Sequence, residues 1–183
     1  MSFNHSDSTI TIATCDSLLI YSKSGTRIPS FFSRHADDFQ GWYIPDSQFL
    51  SHESYKNIHI RNIYNNSDLL SFKAYQGNAR TNNIVLVRND SLFTYPDNIS
   101  HKTPLEPKAV IWVNDSIVAF CGEFETNICI HNLNSDTTSI VTDAYVDKYP
   151  TFSISPDLKW VIYAECNFSE DITPLVIKEI KYE

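Results

Sequence analysis

The sequence contains few glycines, and this scarcity excludes several kinds of site. Only four glycines occur among the 183 residues, too few for a phosphate-cradling loop or an array of tight glycine turns. The turns must then be made by Asn, Asp and Ser, whose side chains form hydrogen bonds with the local backbone. The G-x-S-x-G and G-x-G-x-x-G motifs are also missing, so no hydrolase or nucleotide-binding motif is visible.

Basic residues are also scarce. The chain has 14 Lys and Arg against 22 Asp and Glu, a formal net charge of −8. A surface of this sign repels phosphate backbones, so we expect no direct binding of nucleic acid. It would attract a basic protein partner and speed the encounter. The alternative is that the negative charge only keeps the protein soluble.

Long hydrophobic runs are absent, and so are paired cysteines. The first 21 residues have neither a basic region nor an apolar region, so the sequence predicts a cytoplasmic protein without a signal peptide or a membrane partner. The four cysteines form no C-x-x-C pair, and each lies in or beside an apolar run: Cys15, Cys121, Cys129 and Cys166. We therefore expect buried, reduced thiols.

The residues that are present predict β-structure. Short apolar or alternating runs, such as residues 9–14, 84–88 and 109–113, are separated by Asn, Asp and Ser turns. About sixteen strands can be counted in this way, which predicts an all-β protein with a single domain over residues 1–183. Residues 29–40 are ambiguous and hold the one candidate for a helical turn.

One pattern recurs along the chain. An Asp/Ser pair precedes a short apolar strand at several places, including Asp16-Ser17, Asp90-Ser91 and Asp115-Ser116. The two best copies of that strand begin at Ile117 and Trp160, a separation of about 43 residues that is typical of a four-stranded propeller blade.

The last copy resembles the repeat of TolB-like and WD-repeat β-propellers. The residues that match that repeat are Phe152, Ser155, Pro156, Asp157, Lys159, Trp160 and Tyr163. The resemblance implies a small β-propeller-like ring of about four blades. A β-sandwich or another antiparallel β-arrangement remains the alternative. Leu158 departs from the glycine of the repeat, which puts the turn geometry in doubt because leucine disfavours positive φ. In such a ring, residues 9–14 would pair with the last unit and close it.

Few residues have the spacing of a metal-binding or catalytic site. The six histidines show no H-x-H, H-x-x-x-H or H-E-x-x-H spacing, so we predict no metal, no cofactor and no catalytic residue. His59 and His131 lie in strands of similar sequence. One interpretation makes them general acids or bases. The interpretation that we favour makes them solvent-facing or hydrogen-bonded strand residues. Cys121 is expected to be a packing residue and not a nucleophile. Asp37 and Asp38 are expected to be a charged turn and not a catalytic pair.

Acidic residues in matching loops give the candidate binding site. Two loops of successive units would lie at the same face of a ring, where their five carboxylates could form one acidic patch: Glu123, Glu125, Glu165, Glu170 and Asp171. The alternative is ordinary solvated loops.

These observations predict a non-catalytic, cytosolic protein-binding module. In general character it is similar to bacterial immunity proteins, and no motif carries that similarity. On this hypothesis the acidic patch docks on the basic active cleft of a nuclease-type toxin and blocks it. The alternative is a propeller enzyme, or an enzyme-accessory domain, with histidines and carboxylates converging in a central channel.

Overall fold

The described part of the chain consists of strands and turns. The structure is a computed structural model, and it describes residues 2–4, 9–13, 18–28, 39–43, 48–54, 57–62, 68–80, 83–122, 127–144, 152–165 and 174–181. These residues form nineteen strands and no helix, which confirms the all-β prediction. No segment among them has the helical length and hydropathy of a membrane span. Most of the helical candidate at 29–40 lies outside them, and its end begins a strand.

The strands fall into two compact units, residues 1–84 and 85–183. The boundary lies within β10, and the prediction of one domain over 1–183 stays a prediction. The first unit holds β1 (Ser2–Asn4), β2 (Thr9–Ala13), β3 (Leu18–Tyr21), β4 (Arg27–Ile28), β5 (Phe39–Tyr43), β6 (Gln48–Ser54), β7 (Asn57–Asn62), β8 (Asp68–Lys73) and β9 (Gln76–Arg80). The remaining strands are β10 (Asn83–Arg88), β11 (Ser91–Tyr95), β12 (Ile99–Lys102), β13 (Ala109–Trp112), β14 (Ile117–Cys121), β15 (Asn127–Asn132), β16 (Thr137–Asp143), β17 (Phe152–Ile154), β18 (Trp160–Ala164) and β19 (Leu175–Glu179).

In the first unit, β1 to β4 form an antiparallel meander in chain order. Thr11 at the centre of β2 lies opposite Ser2 on one side and Ile20 on the other. Both edges of β2 are therefore occupied, and the expected pairing of residues 9–14 with the last unit was wrong. Short connections favour pairing between neighbours in sequence, because closing a short loop costs less entropy than closing a long one.

The second sheet of this unit has the order β9-β5-β6-β7-β8. Strands β5 to β8 are antiparallel, and β9 joins β5 in parallel with Ala79 opposite Gly41. In β7 isoleucines alternate with the polar residues His59 and Arg61, yet Ile58, His59, Ile60 and Arg61 are all buried. Arg61 is accommodated because its Nε donates to Asp68 Oδ1 at 2.7 Å, which pairs a buried charge.

In the second unit, β13 to β16 form a four-stranded sheet that is covered on both faces. On one face Val118 and Phe120 belong to a core with Val85 from β10. On the other face Ala119 and Cys121 belong to a core that includes residues of β17 and β18. The run Ile117–Cys121 is thus continuously apolar because both of its faces are buried.

Polar residues make the turns, as predicted. Positive φ angles occur at Asn89 (52°), Asn98 (57°) and Asp136 (54°), and Asn and Asp tolerate this conformation better than most residues. Leu158 also has a positive φ, 60°. Its turn therefore keeps the left-handed geometry that a glycine would adopt in the propeller repeat, although leucine disfavours it.

The thiols follow the prediction where they are described. Cys121 and Cys129 are fully buried thiols, which supports packing and not nucleophilic attack for Cys121. Burial raises the pKa of the Cys129 thiol to about 12, with Cys121 contributing next. Cys15 and Cys166 lie outside the described residues, as do Asp37 and Asp38.

Candidate protein interface and a buried imidazole cluster

Of the five carboxylates predicted to form an acidic patch, one belongs to the described residues. Glu165 follows β18, where its backbone N–H donates to the carbonyl of Pro174 at 3.0 Å. This bond closes the base of the connection between β18 and β19. Glu123, Glu125, Glu170 and Asp171 lie outside the described part of the chain, so their convergence on one patch stays a prediction.

The sheet β17-β18-β19 has one buried and one exposed face. Val161 and Tyr163 on β18 are each 1% exposed and pack in the core shared with the β13–β16 sheet. The residues between them point to the other face, because side chains alternate along a strand. The register places Trp160, Ile162 and Ala164 opposite Glu179, Ile177 and Leu175.

That second face is largely apolar and open to solvent. Trp160 is 50% exposed, Ile177 63% and Leu175 68%. We call the five residues Trp160, Ile162, Ala164, Leu175 and Ile177 the exposed apolar face. A sheet with one solvated face normally carries polar residues there. Contiguous exposed apolar surface of this kind marks an interaction site, and the sequence patterns did not single it out.

The turn that precedes β18 fixes the position of Trp160. The backbone N–H of Ser155 donates to the Trp160 carbonyl at 2.9 Å, and the Trp160 N–H donates to Ser155 Oγ at 2.9 Å. Ser155 Oγ in turn donates to Asp157 Oδ1 at 2.6 Å. This hydrogen bond, followed by the one from the Lys159 backbone, lowers the pKa of the Asp157 carboxyl. The Ser-Pro-Asp-x-Lys segment therefore acts as a rigid support for one end of the exposed apolar face.

A second cluster is polar and lies elsewhere in the same unit. His101 on β12 and His131 on β15 have ring centroids 5.2 Å apart, in an edge-to-face arrangement. Asp136 lies in the turn between β15 and β16. Its Oδ1 is 2.9 Å from His101 Nδ1 and 3.3 Å from His131 Nε2. We call these three residues the imidazole cluster.

The charges of the imidazole cluster follow from burial. His131 is fully buried, and this burial, together with the neighbouring His101, lowers its pKa, while Asp136 opposes the shift. Asp136 is exposed, and its hydrogen bond to His101 is the main cause of a lowered carboxyl pKa. At neutral pH the cluster therefore combines a neutral His131 imidazole with an ionised carboxylate.

His59 and His131 are both buried. We expected them to be either solvent-facing or hydrogen-bonded, and burial excludes the first of these. His59 Nδ1 lies 3.2 Å from Asp68 Oδ2 in the first unit, and His131 lies beside Asp136 in the second. No sequence motif marks the cluster around His131, because His101 and Asp136 are 35 residues apart. Local spacing rules detect ligands only within one element. The remaining signal, a histidine five residues before an aspartate across a hairpin, is too common to be specific.

Comparisons with known proteins address the fold. No family model and no curated protein matches the chain. Among solved structures, Hsv2 of Kluyveromyces marxianus matches with a TM-score of 0.58 and 14% identity, over 90% of this chain and 54% of that one. Hsv2 of Kluyveromyces lactis gives 0.55 and 12%, over 90% and 57%. A chain of the mitotic checkpoint complex gives 0.53 and 12%, over 100% and 74%. These neighbours are WD40 β-propellers.

The fold is propeller-like. Apart from the parallel pair β5 and β9, its strands form antiparallel meanders like the blades of those neighbours, which confirms the predicted fold class at this level. In the described residues β1–β4, β5–β8 and β13–β16 form four-stranded meanders, and β17–β19 form a three-stranded one. The chain spans between a half and three fifths of the length of the Hsv2 chains that it matches. The closer resemblance to TolB-like repeats stays a prediction.

Proposed function

We propose that this chain is a non-catalytic protein-binding module, and that its exposed apolar face contacts a basic protein. The observation that carries the proposal is the exposure of Trp160, Leu175 and Ile177 on a sheet whose opposite face contributes Val161 and Tyr163 to the core. Contact between these apolar side chains and water is unfavourable, and a protein partner that covered them would remove this cost. Tryptophan in particular is enriched among the residues that dominate binding energy.

The free energy gained by burying these three side chains is sufficient for specific binding but not for very tight binding. Full burial of a large apolar side chain contributes about 1.5–3 kcal/mol. Because the three side chains are already partly covered, we expect about 3–6 kcal/mol from them together, a factor of about 10² to 10⁴ in affinity. The remaining affinity has to come from polar and charged contacts around this face.

Charge favours a basic partner. Glu179 lies opposite Trp160 on the face itself, and Glu165 directly follows Ala164 at the other end of β18. The segment between β18 and β19 carries Glu170 and Asp171 in its sequence, and the whole chain has a net charge of −8. Negative charge of this kind accelerates association with a positively charged surface and suppresses other partners.

The finer proposal is that of an immunity or inhibitor protein acting in the cytoplasm. A nuclease-type toxin has a basic cleft for nucleic acid, which suits an acidic apolar surface. Binding there would exclude the substrate. Its test is direct: a stoichiometric amount of this protein should abolish the nuclease activity of its partner, and partial or substoichiometric inhibition would contradict blocking of the cleft.

The interface is tested by paired substitutions. A partner captured from the native host is produced in recombinant form, and its affinity is measured by calorimetry for the parent chain and for Leu175→Ser/Ile177→Ser. We expect the affinity to fall at least tenfold. Ile140→Ser on β16 is the matched control, because Ile140 is 58% exposed on another sheet. Equal affinity of the face variant and the parent chain would refute the proposed interface.

The contribution of the acidic residues Glu165 and Glu179 needs a separate measurement. Glu165→Gln/Glu179→Gln should slow association and flatten its salt dependence while leaving dissociation nearly unchanged. Binding that does not depend on salt would contradict a basic partner and leave the apolar contact intact.

A further inference from the structure

We propose that His101, His131 and Asp136 form a binding site for a divalent transition-metal ion, with zinc as the best-fitting metal. This inference is independent of the protein-binding function, because the imidazole cluster and the exposed apolar face share no residue.

The donor atoms have suitable chemistry and spacing. Two imidazole nitrogens and a carboxylate oxygen are ligands that zinc prefers. All three atoms lie within 4.8 Å of one another, and two of the separations are 2.9 and 3.3 Å. In a tetrahedral site with bonds of about 2.0–2.1 Å, ligand atoms are about 3.3–3.5 Å apart. Side-chain adjustments of the order of 1 Å would bring the three atoms to these positions.

His131 supplies the second observation. The ring is fully buried, and its Nε2 has no hydrogen bond with suitable geometry among the described residues. It faces Asp136 Oδ1 at 3.3 Å without the alignment of a donor and an acceptor. A buried polar atom without a partner costs free energy. A cation between Nε2 and the carboxylate would give Nε2 the partner that it lacks.

Thr138 orients the His131 ring. Its Oγ1 lies 2.9 Å from His131 Nδ1, and the register places Thr138 directly opposite His131 across the β15–β16 ladder. Histidine ligands in metal sites commonly use the second ring nitrogen in such a hydrogen bond, which fixes the tautomer and the ring plane. With Nδ1 engaged in this way, Nε2 points toward Asp136.

The site connects two elements and remains open to solvent on one side. His101 belongs to β12, while the other two ligands belong to the β15–β16 hairpin of a different sheet. A metal ion would therefore fasten β12 to the neighbouring sheet. The Asp136 side chain is 64% exposed, so a metal ion can enter, and water can take the fourth position.

The test uses the full chain stripped with chelator and titrated with zinc chloride by calorimetry. We expect one site with a Kd in the micromolar range or below, and a rise in Tm on saturation. Asp136→Asn and His101→Gln should each weaken binding at least tenfold. Thr138→Val should weaken it about tenfold or more while leaving all three ligands in place. Asp97→Asn is the matched control, since Asp97 is an exposed aspartate in another turn of the same unit.

Three results would overturn the inference. One is the absence of zinc binding below about 100 μM, which would leave a purely hydrogen-bonded cluster. The second is binding that the cluster variants leave unchanged, which would assign the ion to other histidines. The third is an equal loss of affinity in Asp97→Asn. Circular dichroism of each variant establishes that any loss of binding is not a loss of fold.

Discussion

Leu158 holds a backbone conformation that leucine disfavours, so substitutions there can separate strain from packing. Its φ is 60°, and its partly buried side chain packs against the core between the last two sheets. A left-handed conformation costs a non-glycine residue about 1–2 kcal/mol. The side chain returns about 1–2 kcal/mol, because it is only partly buried and full burial contributes about 1.5–3 kcal/mol. The two contributions therefore nearly cancel.

The variants Leu158→Gly and Leu158→Ala both lose the packing of the leucine side chain, but only the alanine variant keeps the backbone strain of a positive φ. Leu158→Ala should lower the free energy of unfolding by about 1–2 kcal/mol, because the side chain is lost and the strain remains. Leu158→Gly removes the strain as well, against a cost of about 0.4–1 kcal/mol for the greater freedom of the unfolded chain. We therefore expect the glycine variant to be more stable than the alanine variant by about 0.5–1 kcal/mol.

Urea unfolding followed by tryptophan fluorescence measures the difference in the free energy of unfolding between the glycine and alanine variants. This difference corresponds to about 1–4 °C in Tm for a chain of this size. Ser153 is the control position, because it is exposed within β17 and has no positive φ. There alanine should be more stable than glycine. The reasoning is refuted if alanine equals or exceeds glycine at position 158, or if the order of the two residues is the same at both positions.

Three further outcomes follow from the packing and the charges. Phe120→Ala should lower the free energy of unfolding by about 3–5 kcal/mol in chemical denaturation, because the ring is fully buried between two sheets; a loss below 1 kcal/mol would contradict that packing. In a Cys15→Ser/Cys166→Ser background, Cys129 should not react with a thiol reagent at pH 8 until the protein unfolds, because burial raises its pKa to about 12; rapid labelling of the native protein would show an accessible thiolate. Asp157→Asn should lower Tm at pH 6, and this loss should shrink as the pH falls below the unfolded pKa of an aspartate. The folded-state pKa of Asp157 is lowered, so the stability it contributes is present above its unfolded pKa and is lost as pH falls through the folded value; a loss in Tm that is independent of pH would show that the carboxylate charge has no role.

The turns and the strands could be predicted from the sequence because they depend on neighbouring residues. The Asp-Ser pairs, the apolar run of β14 and the Ser-Pro-Asp-x-Lys segment each determine structure within a few residues. Burial on the polar side of β7 could not be predicted in this way. Arg61 reads as a surface residue unless its pairing with Asp68 on the next strand is known, and that pairing depends on the register between strands.

The sites depend still more on contacts between elements. The exposure of Trp160 and Leu175 is invisible in sequence, because an apolar residue on an uncovered face looks like one in the core. The imidazole cluster requires β12 to lie beside the β15–β16 hairpin, which no local pattern specifies. The five carboxylates of the predicted acidic patch were the opposite case: their charge is plain in the sequence, and of these five only Glu165 lies in the described part of the chain.

The pairing of consecutive strands in the meanders bears on how the protein forms during synthesis. Nearly all described ladders join strands that are neighbours in sequence, so each closes only a short loop at low entropic cost. A hairpin can therefore form soon after its second strand leaves the ribosome, before the later sheets exist. The parallel pairing of β5 with β9 is different, because Gly41 has to wait for Ala79. During that interval β6 to β8 are translated and can fold, so we expect the closing of this pair to be a late step in acquiring the first unit.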